Sequence, residues 1–259
     1  MKSALALVLA FVSSVTFAAG GSTYPLEQIE PDYSDKESLQ RGLATYSHYC
    51  MGCHSLGYQR YERTATDLGI DPEIMVQAIV PSGKKIGDLG GIAMPPRAAA
   101  EWFGAPPPDL TLVARKRSPE WVYTYMKTFY VDPTRPLGVN NKVFPKVGMP
   151  HVLEPLQGLQ RVVCADLMAG DERIAQADSG SGQPTTESQC SSLEAVEGTA
   201  QLSAAEYDRL IYDLVNFLEY VGEPSKARAH NIGIYVLLFL MLYFVFAYLL
   251  KREYWKDVQ

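Results

Sequence analysis

Two cysteines separated by two residues, with a histidine directly behind the second, restrict this chain more than any other feature: Cys50-Met51-Gly52-Cys53-His54. A Cys-X-X-Cys-His run is the attachment pattern for a c-type haem. The spacing has a geometric reason. Two thiols add to the two vinyl groups of one porphyrin and fix its plane, and the adjacent imidazole then reaches the iron from one side. A domain built this way folds around a cofactor, which supplies part of its core. Two other uses of the cysteines compete. Thiol-disulfide chemistry of the thioredoxin kind wants the pair opening a helix after a strand, whereas here a helical pattern ends into it. Structural zinc wants four nitrogen or sulfur ligands, and Cys164 and Cys190 are too far along the chain and from each other to form a second close pair.

The two ends set the cellular context. "MKSALALVLAFVSSVTFAAG" has a lysine at position 2, an apolar run from Ala4 to Val12 and small residues at Ala18 and Ala19, the pattern of a bacterial secretory signal cleaved after Ala18 or Ala19. Near the other end, "IGIYVLLFLMLYFVFAYLL" runs from Ile232 to Leu250 without a charge. At about 1.5 Å per residue this nearly matches a hydrocarbon layer of roughly 30 Å. The following "KREYWKDVQ" puts basic and aromatic residues at the boundary. Lys226 and Arg228 before the segment almost balance Lys251, Arg252 and Lys256 after it, so the signal decides orientation: body in the periplasm, tail in the cytoplasm.

The chain of 259 residues has a formal net charge of −6, and its later part is the acidic one. Between Ala165 and Glu223 stand twelve Asp or Glu and only two Arg or Lys. Such a surface argues against nucleic acid or anionic lipid headgroups as partners of the body and favours a basic soluble protein, whose approach it would steer.

The body reads as mostly helical. Ser34 with Glu37 forms a capping-box pattern ahead of Leu39, Leu43 and Tyr46, which puts Cys50 at the end of a helix. Asp71-Pro72-Glu73 starts a second helix with Ile74, Met75, Ala78 and Ile79 on one face. Ser118-Pro119 opens another with Trp121, Val122, Tyr125 and Met126 inward, and Ser203 with Glu206 caps a helix striped by Tyr207, Leu210, Ile211, Leu214, Val215 and Leu218. No convincing alternating strand set is visible. The connecting loops are too long for an idle compact domain, which again suggests a cofactor at the centre.

With His54 on one side of the iron, the sixth position needs a second donor. His48 shares the motif's own helix and His230 abuts the apolar segment. Met75 and Met126 sit on helical faces as core fillers. Met94 in "GGIAMPPR" and Met149 in "FPKVGMPHV" both lie in Gly/Pro loops and stand level on spacing, with His151 behind them and Met168 lower.

The stretches "LQRGLATYSHYCMGCHSL", "PPPDLTLVARKR", "FPKVGMPHVL", "LSAAEYDRLIYDLVNFLEYVGEPSKARAHNIG" and "FAYLLKREYWKDV" come in an order that resembles the cytochrome c1 family, the membrane-anchored c-haem subunits of cytochrome bc1 complexes, in its proteobacterial form. The resemblance spans nearly the whole chain after the signal. It implies a mostly α, class I cytochrome c-like haem domain with long loops plus one C-terminal transmembrane helix. It also implies one covalently bound haem c, with thioethers to Cys50 and Cys53 and iron ligated by His54 and Met149. Met149 is preferred to Met94 because the family's axial methionine follows the Pro-Pro-Asp-Leu segment. Val147-Gly148 stands where family members often have Ile-Ala, a departure expected to alter packing near the sulfur.

The resemblance further implies an arginine at a haem propionate, Arg117 before Arg115, and places Pro108, Asp109 and Leu110 along the haem edge. It implies cytochrome b and the Rieske iron-sulfur protein as neighbours, an electron taken from the Rieske protein and passed to cytochrome c, and no bond chemistry on quinol by this subunit. The expected layout is a signal at 1–19, a periplasmic c-type haem domain at 20–224, a linker at 225–231, a helix through the lipid of the inner membrane at 232–250 and a cytoplasmic tail at 251–259. Two other readings are a tethered monohaem cytochrome serving another reductase or oxidase, and a haem-based sensor. A disulfide between Cys164 and Cys190 is physically sensible in an exported body.

Overall fold

The computed structural model describes residues 24–92, 94–163 and 192–256. The expected signal at 1–19 and the Cys164–Cys190 pair lie outside them. The fold is mostly helical with long loops and a C-terminal apolar helix, as the sequence suggests.

Its centre is a pair of helices that meet at close range, α1 (Lys36–Thr45) from near the start of the body and the helix Ala204–Gly222 from its end. Gly42 permits the contact: a Cβ there would stand 2.0 Å from the carbonyl oxygen of Asp213 and 2.6 Å from Phe217 Cβ. Polar side chains tie the pair. Asp213, itself buried, accepts from Arg41 Nε at 2.6 Å and from Ser38 Oγ at 2.6 Å. The cap of α1 differs from the expected Ser34/Glu37 box by one residue. Asp35 takes the Ser38 N–H at 2.9 Å, while the Ser34 hydroxyl turns back to Asp32.

From α1 the chain widens into a π-helical turn, Tyr46–Cys50, and then forms β1 (Leu56–Arg60) and α2 (Tyr61–Leu68). In α3 (Pro72–Ala78), capped by Asp71 as expected, only Met75 is buried; Ile74 stays exposed, so the predicted apolar face is mostly outside. β2 (Leu89–Gly90), α4 (Pro96–Phe103), α5 (Val113–Arg117) and α6 (Pro119–Lys127) follow, the last capped by the Ser118 hydroxyl on Trp121 N–H. Then come β3 (Phe129–Val131), β4 (Val139–Asn141), α7 (Glu154–Gln157), β5 (Gln160–Val163) and β6 (Ser192–Ala195). The strands pair antiparallel as β1–β2, β3–β4 and β5–β6. With two to five residues each they are too short to show a period in sequence.

The long helix Ala204–Gly222 is α8, and its capping box of Ser203 and Glu206 is complete. From Asp213 to Gly222 it is buried on every face, since α1 covers one side and a cavity lies along another. α9 (Lys226–Tyr254) begins almost at once, so most of the stretch expected as a linker is itself helical. Its segment Ile232–Tyr254, 23 residues with none buried, is long and apolar enough to cross a membrane.

Candidate functional site

A cavity of about 390 Å³ opens between the π-turn, the proline run before α5, one face of α6 and α8. Its walls are almost wholly apolar, as a haem plane requires. Cys50, Cys53, His54 and Met149 all line it, although Met149 lies in a separate loop far along the chain.

The turn explains how three motif residues face one space. Met51 N–H bonds back to Tyr46 carbonyl at 2.9 Å, one residue more than an α-helix spans, and the Cys53 and His54 N–H groups both fall on the Cys50 carbonyl. The chain is thereby wound tightly around Cys50, with Tyr46 hydroxyl donating to the His54 carbonyl at 2.6 Å.

His54 is 8% exposed, and its Nδ1 lies 2.8 Å from the carbonyl oxygen of Pro108. A carbonyl only accepts, so Nδ1 carries the proton and Nε2 keeps its lone pair. Burial lowers the His54 pKa and so favours the neutral ring that can bind a metal, while the Pro108 hydrogen bond opposes this. Pro108 is held in place by its neighbour. Asp109 accepts from Ser55 Oγ at 2.6 Å, from Gly57 N–H at 2.6 Å and from Thr111 N–H at 2.9 Å, and Leu110 N–H reaches Ser55 carbonyl. The Pro-Asp-Leu segment is thus bonded to His54 itself and to Ser55 and Gly57 just after it.

The Cys50 thiol is pushed up to about 12, chiefly by burial and further by Cys53. Reactive or zinc-binding cysteines have the opposite environment, one that favours thiolate. Among the described residues no group of three or more His, Cys, Asp or Glu side chains could hold a metal ion. The two cysteines, the imidazole and the thioether on one apolar cavity do fit a covalently attached haem.

Met149 is half-buried, and the Tyr125 hydroxyl donates to its sulfur at 3.4 Å. Met94 and His151 are not among the residues lining the cavity. His151 instead lies flat on the Phe129 ring, 4.7 Å between centroids and 1° between planes. Burial brings its pKa down to about 4, with Gln157 opposing. The glycine before Met149 has a reason: a Cβ at Gly148 would stand 3.2 Å from Phe103 carbonyl oxygen, so the end of α4 passes closely there.

Arg117 lines the cavity with its guanidinium 5.1 Å from the centre of the Trp121 ring, which leaves its N–H edge for an anion. Arg115 does not line it; its side chain runs along Gly222 at the end of α8. Pro108 and Leu110 both form wall. Sequence reasoning assigned Trp121, Val122, Tyr125 and Met126 to an inward helix face but not to the site. That face, together with Leu214 and Leu218 of α8, is the cavity wall. Helical apolar stripes signal burial without saying what lies opposite.

The chain is similar to known proteins over nearly its whole length. The model of the Cytochrome C1 family matches residues 194–258. Cytochrome c1 of Allochromatium vinosum is 48% identical over 257 residues, 99% of this chain and 99% of that protein. A protein named ammonia monooxygenase gamma subunit, from Nitrosomonas europaea, is 38% identical over 93% of this chain and 92% of its own length. Cytochrome c1 of Rhodospirillum rubrum is 26% identical over 87% of this chain and 83% of that protein.

Proposed function

The chain belongs to the cytochrome c1 family, and from that premise we propose that it relays electrons as the c-type haem subunit of a cytochrome bc1 complex, with Cys50 and Cys53 in thioether bonds and His54 and Met149 as iron ligands. The observation that carries the reading is one apolar cavity shared by these four side chains. The bound haem supplies a one-electron couple, whose potential is raised by His/Met ligation relative to two nitrogen ligands.

The remaining work belongs to the protein. Pro108 carbonyl orients the His54 ring and fixes its tautomer. Apolar walls from α6 and α8 exclude water, which keeps a change of one charge inside the cavity from drawing solvent with it. Arg117, over the Trp121 ring, would pair with a propionate, and the cavity-wall residues Pro108 and Leu110 would flank the haem.

In this reading the electron comes from the Rieske iron-sulfur protein and goes to cytochrome c, with cytochrome b as the membrane neighbour. The acidic later part of the body favours a basic acceptor. The haem domain at 20–224 lies in the periplasm, α9 crosses the lipid of the bacterial inner membrane once, and residues 251–259 are cytoplasmic. The apolar helix, with Lys251 and Arg252 in its last turn, supports the anchor.

Purification of the native assembly in detergent tests the proposal. A c-type pyridine haemochrome with co-purifying cytochrome b and Rieske protein is expected; a c-type spectrum without them counts against the bc1 setting. Met149→Leu should lose the weak near-infrared charge-transfer band of the ferric form and lower the potential strongly. An unchanged band removes Met149 as ligand. The likeness to the ammonia monooxygenase gamma subunit favours a second setting for the same haem site. Co-purification with an ammonia-oxidising activity in place of cytochrome b would select it.

A further inference from the structure

Tyr125 stands in the cavity wall with its hydroxyl 3.4 Å from Met149 Sδ. We infer that Tyr125 is a positioning residue for the axial sulfur: its O–H holds the one thioether lone pair that the iron does not take, and so sets how strongly Met149 donates. The inference rests on the proposed ligation by Met149.

Three observations make this contact part of the design of the site. A hydroxyl in an apolar wall needs an acceptor, and the sulfur, a weak acceptor, is the one it meets. Next, the phenol ring has little freedom to swing. Trp121 stacks on it at 5.0 Å and 9°, and the Phe129 ring meets it at 5.1 Å and 70°. The Tyr125 carbonyl is tied as well, accepting from the fully buried Asn141 Nδ2 at 2.7 Å. Finally, donor and acceptor are keyed to the same ring. Phe129 also carries the flat stack of His151, two residues after Met149 in its loop. The α6 side and the methionine side of the hydrogen bond therefore share one fixed support.

A proton shared with sulfur withdraws electron density from it. A poorer sulfur donor disfavours ferric iron more than ferrous, so the hydrogen bond raises the potential. Tyr125→Phe keeps the ring and its two aromatic neighbours and removes only the donor. In the detergent-purified complex it should lower the ferrous-to-ferric equilibrium constant about threefold, the size of a modest hydrogen bond, or about 28 mV at 59 mV per tenfold. The near-infrared band should persist but shift. Tyr123→Phe, a phenol removed from the same helix beside Lys127 and outside the cavity wall, should leave both readouts at wild type.

A Tyr125→Phe complex with wild-type potential and an unmoved band overturns the inference, as does a potential that rises. Loss of the band in Met149→Leu with no change in Tyr125→Phe keeps the ligand and rejects the tyrosine; a band that survives Met149→Leu rejects the ligand itself. Should Tyr125→Phe fail to assemble, the unmutated complex decides. Exchange into D2O should shift the stretch between haem iron and Met149 Sδ in resonance Raman spectra excited in the haem bands, and a stretch insensitive to deuterium rejects the contact.

Discussion

His54 can present Nε2 to a metal because the Pro108 carbonyl, 54 residues later, occupies Nδ1. The anchor of that carbonyl is the Asp109 carboxylate, with hydrogen bonds from Ser55, Gly57 and Thr111. Burial alone would raise the Asp109 pKa, but these bonds outweigh it and hold it below the usual carboxylate value. The folded protein therefore binds this proton less readily than the unfolded chain. The resulting stabilisation is present above about pH 3.9 and is lost as pH falls through the lower folded value. Asp109→Asn should cost about 1–3 kcal/mol at neutral pH and flatten the acid side of the stability profile, as read by denaturant unfolding between pH 3 and 6. An acid limb identical to wild type would show that the charge is not what anchors the loop. The sequence names Asp109 and Pro108 as neighbours of the haem through family likeness. It does not name the carbonyl, because every residue has one and only the fold selects which is used.

At the scale of elements, α1 and α8 illustrate how packing overrules propensity. An alanine in place of a mid-helix glycine is ordinarily worth about 1 kcal/mol in favour of the helix. At Gly42 the added Cβ would meet Asp213 carbonyl oxygen at 2.0 Å, a contact with backbone that cannot rotate away. Overpacking of this kind costs about 1–3 kcal/mol or more, so the net sign is destabilising. Gly42→Ala should lower the denaturant midpoint, and a raised midpoint would mean the helices are not this close. Ser203→Ala, which removes one side of the complete capping box of α8, should cost about 1 kcal/mol in the same measurement. Helices α1, α3, α6 and α8 and the starts at Asp71, Ser118 and Ser203 were legible because they depend on neighbours three or four residues away, whereas α2, α4 and α7 carry no such signal. The π-turn, the shift of the α1 cap to Asp35 and the exposed face of α3 were not, since each depends on what the rest of the fold places beside it.

For the whole molecule, α9 stands apart from the body: its apolar segment of 23 residues is unburied and would be about 35 Å long. The ties near its start are Lys226 to Glu219 at 3.1 Å and to Tyr33 hydroxyl at 2.6 Å. A chain ending after Pro224 should therefore keep its covalent haem and leave the membrane fraction, measured by haem staining of soluble and membrane fractions. Haem-stained material that stays with the membrane would place a second anchor in the body. Leu240→Arg, a charge near the middle of the apolar segment, should weaken insertion by about 2.5–3.5 kcal/mol. The sequence by itself determined the attachment motif, the apolar anchor and the helical body, because haem addition, membrane spanning and helix periodicity are all local in the chain. Family likeness preferred Met149, but only the tertiary structure put it on one cavity with Cys50, Cys53 and His54 and showed which tyrosine meets its sulfur. Spacing left Met149 and Met94 level; the α6 face and the Met149 loop meet only when α1 and α8 pack and bring distant segments around one space.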